Sequence, residues 1–565
     1  MRSALLFWGA TTIALVASGA ATSADLEPSL QLPPAVWSWS GGYIGGHLGG
    51  GYGRTSFSNP YGPPIYGDII DTPVFLAGGQ IGYNWQKNSW VFGVQLDASG
   101  AVSDGTNTCL AASSAVVSAN CKAGPNVFAT GTGRMGYAFG PQGRTLAYIK
   151  GGLAWQNNQG DVVNNYELGW MPQETTHFAY GRVGGIIGLG VEQALTPAWS
   201  VTAEYDYLHF GGPKVETPPT VQLPPFAILP ANTTSLSSNY HIGKIGLNYH
   251  FGTDPWTAQW GNAPLSAKAP TGAPPMAYTP GWSFEGGSRL WLSRGRFQWD
   301  HSAVASGRLE DPSILISRLT YHGLDGFSGE LFGRLDSPWG IFLKSNVGTG
   351  RFNKGNMNDE DWAATSVSYA NTISGQANGR FTYYTADLGY DFLRGANYKV
   401  GGFIGWTYYA QSSDTIGCVQ IANPMYRCPA SADQIVGSQD TQWNAPRIGL
   451  SAETMLTERW RLSTDVAYLP WIDFKGRDNH LLRDLTTFDE QRGTGGGGAQ
   501  IEGVLSYFIT KNFSIGVGGR YWAMWTEEHS NSTCKGSDCF GASTGFAKFS
   551  MERWGTFFQA SYKLN

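Results

Sequence analysis

The sequence predicts an all-β protein: two transmembrane antiparallel β-barrels in tandem, eight-stranded and then ten-stranded, joined by a Pro-rich linker. Three observations lead there. Gly (77), Trp (22), Tyr (27) and Phe (28) are abundant while charged residues make up only 14% of the 565 residues, a profile that suits many twisted strands with aromatic ends. Segments of about ten residues, alternating apolar with small or polar side chains, recur through both halves of the chain. After the N-terminus no stretch approaches ~20 continuous apolar residues, so a membrane crossing has to be made by strands.

The first residues read as a secretory signal. Arg2 supplies the positive start, Leu5 to Ala20 the apolar run, and Thr22-Ser23-Ala24 the small residues for cleavage, which makes Asp25 the expected mature start. Residues 25–40, with Pro28, Pro33 and Pro34, read as a tether. Six cysteines fall in three close pairs, Cys109 with Cys121, Cys418 with Cys428 and Cys534 with Cys539. Each pair sits in a polar segment between strand candidates, which predicts three local disulfides in an oxidising compartment. Metal binding is the weaker reading, because no pair has CxxC spacing and none encloses a histidine. The net charge of −5 makes no case for a nucleic-acid partner.

Between residues 41 and 252, eight strand segments start near Gly41, Val74, Ser89, Asn126, Arg144, Phe178, Ala198 and Tyr240. In Ala198 to Phe210, Val201, Ala203, Tyr205 and Tyr207 share one face and Thr202, Glu204 and Asp206 the other. Between 281 and 565, ten start near Gly281, Ser313, Trp339, Gly379, Asn397, Asn444, Arg459, Gly498, Asn512 and Thr544. Even counts let a barrel close with both termini on the periplasmic side. Short turns near Ser337-Pro338, Arg394-Ala396, Thr457-Glu458 and Thr510-Lys511 alternate with long loops at 300–312, 353–378, 412–443, 473–497 and 528–543. Short turns are expected to be periplasmic and long loops extracellular. Residues 253–280 carry Pro255, Pro264, Pro270, Pro274, Pro275 and Pro280 and read as an extended linker; a single eighteen-stranded barrel is the alternative. Trp460 and Trp525 are expected to anchor at the membrane interface.

Two acidic constellations open long loops in the second half. One is Asn356-Met357-Asn358-Asp359-Glu360-Asp361-Trp362, past the third strand. The other is Asp478-Asn479-His480, past the seventh. Strands three and seven of ten stand nearly opposite. At ~4.8 Å spacing and a tilt of ~40° the ring is roughly 20 Å across, leaving a cleft of very roughly 10 Å between facing side chains. Asp359 and Asp361 share a face, so one proton is expected to be shared between them. Asp478 and His480 share a face, where a carboxylate can orient an imidazole. Water held between an aspartate and a histidine could then attack a peptide carbonyl. Either motif alone is more commonly a solvated or calcium-binding loop. The other histidines, and Gly495 to Gly498, read as interior polar groups, loop residues and a flexible strand start.

Asn356-Met357-x-Asp359-x-Asp361-Trp362 followed by Asp478-x-His480 resembles the two-part signature of the omptins, ten-stranded outer-membrane endopeptidases. The resemblance covers about 281–565. It implies aspartic-type hydrolysis of polypeptides without metal or covalent intermediate. Asp359 and His480 would hold the water, Asp361 would support it and Asp478 would orient His480. It also implies a site at the extracellular side of the cell outer membrane, and a need for lipopolysaccharide beyond which no cofactor is expected. Two family positions depart. Where an acid would receive a basic side chain stands Gly476, followed by Arg477, and no acid is evident at Ser293-Arg294-Gly295-Arg296; an arginine in that pocket would favour acidic or neutral substrates. The first half resembles the small eight-stranded outer-membrane surface-antigen barrels, through Trp39-Ser-Gly-Gly-Tyr-Ile-Gly-Gly-His47 and a closing strand, Ile242 to Phe251. A non-catalytic surface barrel, adhesin or structural, is the alternative function. A diffusion pore ranks last, because ten strands leave little lumen.

Overall fold

The computed structural model describes residues 37–112, 117–164, 174–222, 227–251, 281–302, 315–362, 369–422, 427–428, 430–483, 487–537, 539 and 544–564. The expected signal peptide, most of the tether and the Pro-rich linker fall outside them.

Two separate closed rings form, not one ring of eighteen. The first contains β1 (Gly41–Phe57), β2 (Ile69–Lys87), β3 (Trp90–Ser103), β4 (Ala119–Phe139), β5 (Thr145–Asn164), β6 (Thr175–Ala194), β7 (Trp199–Phe210) and β8 (Asn232–His250), and closes by pairing β8 with β1. The second contains β9 (Ser283–Ser302), β10 (Leu315–Asp336), β11 (Ile341–Phe352, then Asn356–Asp361), β12 (Ala370–Gly395), β13 (Tyr398–Gln420), β14 (Ile435–Met455), β15 (Trp460–Leu469, then Ile472–His480), β16 (Phe488–Gly495, then Gly497–Phe508), β17 (Phe513–Trp525, then Ser530–Lys535) and β18 (Thr544–Leu564). It closes by pairing β18 with β9. Every pairing is antiparallel between chain neighbours, so ring closure satisfies the backbone without a free edge.

The alternation read from the sequence sets the two faces. Leu153, Ile187, Leu331 and Ile404 are each more than 60% exposed, and such side chains form a belt that suits hydrocarbon. Inward faces carry charge, and that charge is paired. In the first ring Lys150 and Lys244 both reach Glu204 and Asp206. Trp37 and Trp39, at the end of the expected tether, are buried against His250 at its base. In the second ring Arg520 bonds Glu330 and Glu502 at 2.6 Å each. Above that layer Phe297, Trp443, Phe474 and Phe549 form an aromatic plug, with Phe474 and Phe549 stacked at 4.2 Å. The lumen cavity below, lined by Arg289, Arg334, Asp387 and Glu453 among others, holds only about 100 Å³.

Three expectations are corrected. Much of the loops at 353–378, 412–443 and 473–497 is strand. β12 starts at Ala370, not near 379, and β14 at Ile435, not near 444. The ladder continues past the lipid belt, where the outer face no longer has to be apolar, so the alternation signal lapses while the hydrogen bonds persist. The belt ends near the exposed pair Arg294–Asp325, just beyond Leu292 and Phe327. Trp525 is not a membrane anchor. It is 5% exposed, packed in a seam where the rings meet side by side through Tyr52 on Trp554 (5.4 Å) and Phe75 on Tyr468 (4.8 Å). Near the long-loop rim the seam turns ionic, with Arg296 on Asp71, Lys548 on Asp104 and Lys122 on Glu528. The three cysteine pairs are bonded as read.

Arg520→Met would leave Glu330 buried beside Arg289 alone. Breaking one side of such a pair costs about 3–5 kcal/mol, so the second barrel is expected to lose its folded resistance to detergent at a lower temperature, read by gel mobility after heating.

Candidate active site at the long-loop rim

Two broken strands carry the motif residues. β11 bends at Asn353-Lys354-Gly355, where Gly355 takes φ 134°, a conformation favouring glycine. Its upper segment, Asn356–Asp361, is held between β10 and β12, with Asp359 opposite Leu319 and Thr372 and Asp361 opposite Ser317 and Ala370. β15 breaks at Pro470-Trp471, since proline cannot donate to a ladder. Its upper segment, Ile472–His480, runs between β14 and β16, with Asp478 opposite Gln439 and Asp489. Both segments lie past the lipid belt: the one in β11 pairs with residues 317–322, farther out than Asp325.

Period-two alternation turns Met357, Asp359 and Asp361 to the mouth, and Met357 joins the aromatic plug. The same rule turns Phe474, Gly476, Asp478 and His480 inward. The mouth therefore has an apolar floor and an acidic rim. Asp359 is half-buried, Asp361 exposed, and Asp478 and Asp489 buried. The buried Tyr321 feels the charges of both Asp478 and Asp359, which bring it, after burial itself, well above the usual phenol range. Asp361 and His480 also interact electrostatically.

His480 Nε2 lies 2.6 Å from Asp489 Oδ2 and 3.7 Å from Asp478 Oδ2. Burial opposes its charge, but the bond to Asp489 and the two carboxylates prevail, so the imidazole holds its proton above the ordinary histidine range. Burial raises Asp478 to about 6, against the pull of His480. Asp359 is driven well above the carboxylate range, by burial first and then by the charges of Asp361 and Asp478. Asp361, exposed at its tip yet enclosed on most sides by protein that desolvates it, also rises, opposed by Arg483 and His480. Crowded carboxylates cannot all ionise, so the mouth retains protons near neutrality.

Asp489, Tyr321 and Arg483 escaped the sequence reading, which took His301 only as one of the interior or loop polar histidines. Asp489 reaches the site only through the hairpin joining β15 to β16, whose register sets it beside Asp478; an isolated aspartate in Phe488-Asp-Glu gives no sign of that. His301, at the rim of β9, is pushed down by burial, with Asp489 raising it and His480 lowering it. Among the described residues, Asp478, His480 and Asp489 have ligand atoms within 4.8 Å of one another, a set that could also hold a divalent cation. Arg477 is not in the pocket. It is exposed on the outer face, its guanidinium 3.7 Å over the Phe488 ring, because an odd position in this strand faces outward. Arg294 and Arg296 likewise face out, to Asp325 and Asp71. The inward neighbours are Ser293, Phe297 and Trp299 on β9, and Gln439 and Gln491 beside Gly476, the two glutamines 2.9 Å apart.

Residues 343–538 match the Omptin family model, a span that contains Asp359, Asp361, Asp478, His480 and Asp489. The match falls within the second ring. Residues 11–251 match the outer membrane protein beta-barrel domain. The 31 kDa outer-membrane immunogenic proteins of Brucella melitensis and Brucella suis are each 28% identical to the chain over 268 residues, 44% of this chain and 100% of theirs. The outer membrane protease OmpT of Escherichia coli is 15% identical in a structural comparison covering 50% of this chain and 97% of that one, with a TM-score of 0.41. The two family matches make the chain an outer-membrane β-barrel protein, with the Omptin match in the ring that follows the smaller one.

Because the Asp489 carboxylate holds the proton on His480, Asp489→Asn is expected to lower the imidazole pKa, so that the ring gives up its proton at lower pH. Titration of histidine ring resonances in detergent-solubilised protein checks this.

Proposed function

We propose that the omptin barrel is an aspartic-type endopeptidase that hydrolyses polypeptides at the extracellular face of the outer membrane. The observation that carries this reading is one acid–base set built from two distant motifs in a single mouth: Asp359 and Asp361 on one segment, Asp478 and His480 on another, over an aromatic floor. In the proposed reaction a water sits between Asp359 and His480. The fraction of His480 that is neutral accepts a proton from this water as the oxygen attacks the scissile carbonyl. Asp359, kept protonated by its crowded surroundings, hydrogen-bonds the developing oxyanion. Asp361 supports that carboxyl, and Asp478 with Asp489 stabilises the imidazolium. Collapse of the tetrahedral intermediate breaks the C–N bond, and His480 returns the proton to the leaving amine. No metal or covalent enzyme adduct is needed. Outer-membrane lipid surrounds the belt, and lipopolysaccharide is the proposed activating partner.

The lining of the mouth bears on selectivity. Gly476, Gln439, Gln491, Phe297 and Trp299 are uncharged, and no described arginine from either motif turns inward, so the pocket favours neutral side chains over basic ones. The same lack of an acidic pocket supports a second reading, a non-catalytic surface barrel that keeps the fold.

Asp359→Ala and His480→Ala are each expected to lower peptide cleavage by roughly 10²–10⁴-fold while the barrel still assembles; wild-type rates in both variants would sink the hydrolase. Over a mixed peptide library, the cleavage sites of the wild-type protein are expected to show no enrichment of Lys or Arg before the cut, read by mass spectrometry of the products.

A further inference from the structure

The segment Asn356–Asp361 shows two faces to two different barrels. Its inward face carries Asp359 and Asp361. Its outward face, which in an isolated barrel would be solvated at this height, is closed: Asn358 is 1% exposed, Glu360 0% and Trp362 3%. On the neighbouring strand Arg318, opposite Glu360 in register, is also 0% exposed. Asn358 bonds His322 and Asn371 of its own barrel, whereas Glu360, Trp362 and Arg318 are covered by a hairpin of the first barrel. Thr106–Cys109 pairs with Ala119–Lys122, and the Cys109–Cys121 bond ties the two arms together.

The contacts are specific. Arg318 donates to Thr108 Oγ1 at 3.0 Å and to Asn120 Oδ1 at 2.6 Å, while its other bonds hold Asp300 at 2.6 and 2.8 Å. Trp362 Nε1 donates to Ser118 Oγ at 2.8 Å. Trp362 and Tyr369 also pack with Ala111 of the same hairpin. Glu360, which accepts from the Tyr369 hydroxyl at 2.6 Å, lies against Arg318 and Thr108. These groups are desolvated, so removing the partners across the seam leaves Arg318 and Trp362 donors unmet in a buried site. A slip of one residue in this short segment would turn Glu360 into the mouth and the aspartates out.

We propose that the first barrel is a positioning element for the site in the second: its disulfide-closed hairpin clamps the outward face of Asn356–Asp361, fixing the register and height of Asp359 and Asp361. Thr108, Ser118 and Asn120 are positioning residues that touch neither substrate nor the mouth. The clamp rests on the endopeptidase reading for its catalytic consequence, but not for its physical one.

The test uses the full chain in detergent with lipopolysaccharide. The variant T108A/S118A/N120A removes the clamp's polar contacts; the single variant T108V covers the case in which the triple variant fails to assemble; T108S/S118T keeps the hydroxyls. Hydrogen exchange of the 356–361 amides is followed by mass spectrometry, together with kcat and KM on a cleaved peptide. Loss of the clamp is expected to speed exchange of that segment at least tenfold, leaving the lipid-belt strands protected. It should lower kcat by roughly tenfold to a hundredfold, as misplacement of catalytic groups by about an ångström does, with KM within about twofold. T108S/S118T should restore both. Unchanged exchange in the clamp variants overturns the proposal whatever the activity, and so does faster exchange with an unchanged kcat. If the wild-type protein cleaves nothing, the endopeptidase reading falls, and the exchange data alone decide whether the clamp exists.

Discussion

The structure depends on one constraint: in a closed antiparallel sheet each side chain faces either in or out, and the next faces the opposite way. Ring closure removes the free edge, so backbone hydrogen bonds are satisfied in hydrocarbon. Alternation then lets one chain meet opposite demands two residues apart. In β12, Tyr384, Leu388 and Tyr390 face lipid while Tyr383, Thr385 and Asp387 face the lumen. Past the belt the same rule persists with different occupants, and it sends Asp359 and Asp361 to the mouth and Glu360 to the neighbouring barrel.

Inside the second ring the layers are ordered by chemistry. Arg–Glu pairs fill the middle, where an unpaired charge would be costly, as Arg520 between Glu330 and Glu502 illustrates. An aromatic plug closes the ring above them. The acids of the mouth, Asp359, Asp361, Asp478 and Asp489, gather over this plug. Their crowding on an apolar floor keeps protons in the mouth, and Asp489 and Asp478 beside the imidazole give His480 its raised affinity for one.

The tandem arrangement is integrated along its height. An apolar seam joins the two rings in the belt, and an ionic one joins them at the rim. A lipid-facing surface needs only apolar side chains, whereas Arg318, Asp300 and Asn120 require particular partners at particular distances. The seam therefore sets how the rings stand together in the same region that backs the motif segment.

Fold class, the two strand counts and the three disulfides were legible because each has a local signature: alternation, even number with alternating turn lengths, and close cysteine pairs. The inward face of β7, with Thr202, Glu204 and Asp206, followed from the same alternation. Residues 359, 361, 478 and 480 could be singled out as candidates from motif spacing and strand order. Asp489, the seam that buries Trp525, the outward turn of Arg477 and the strand character of the loops were not legible. Each depends on register between segments or on contact between barrels, and neither leaves a period in the sequence. The sequence by itself determined which side chains share a face, because that follows from the two-residue repeat of a single strand. Only the tertiary structure decided which faces meet, because pairing register and side-by-side packing are set by groups distant along the chain.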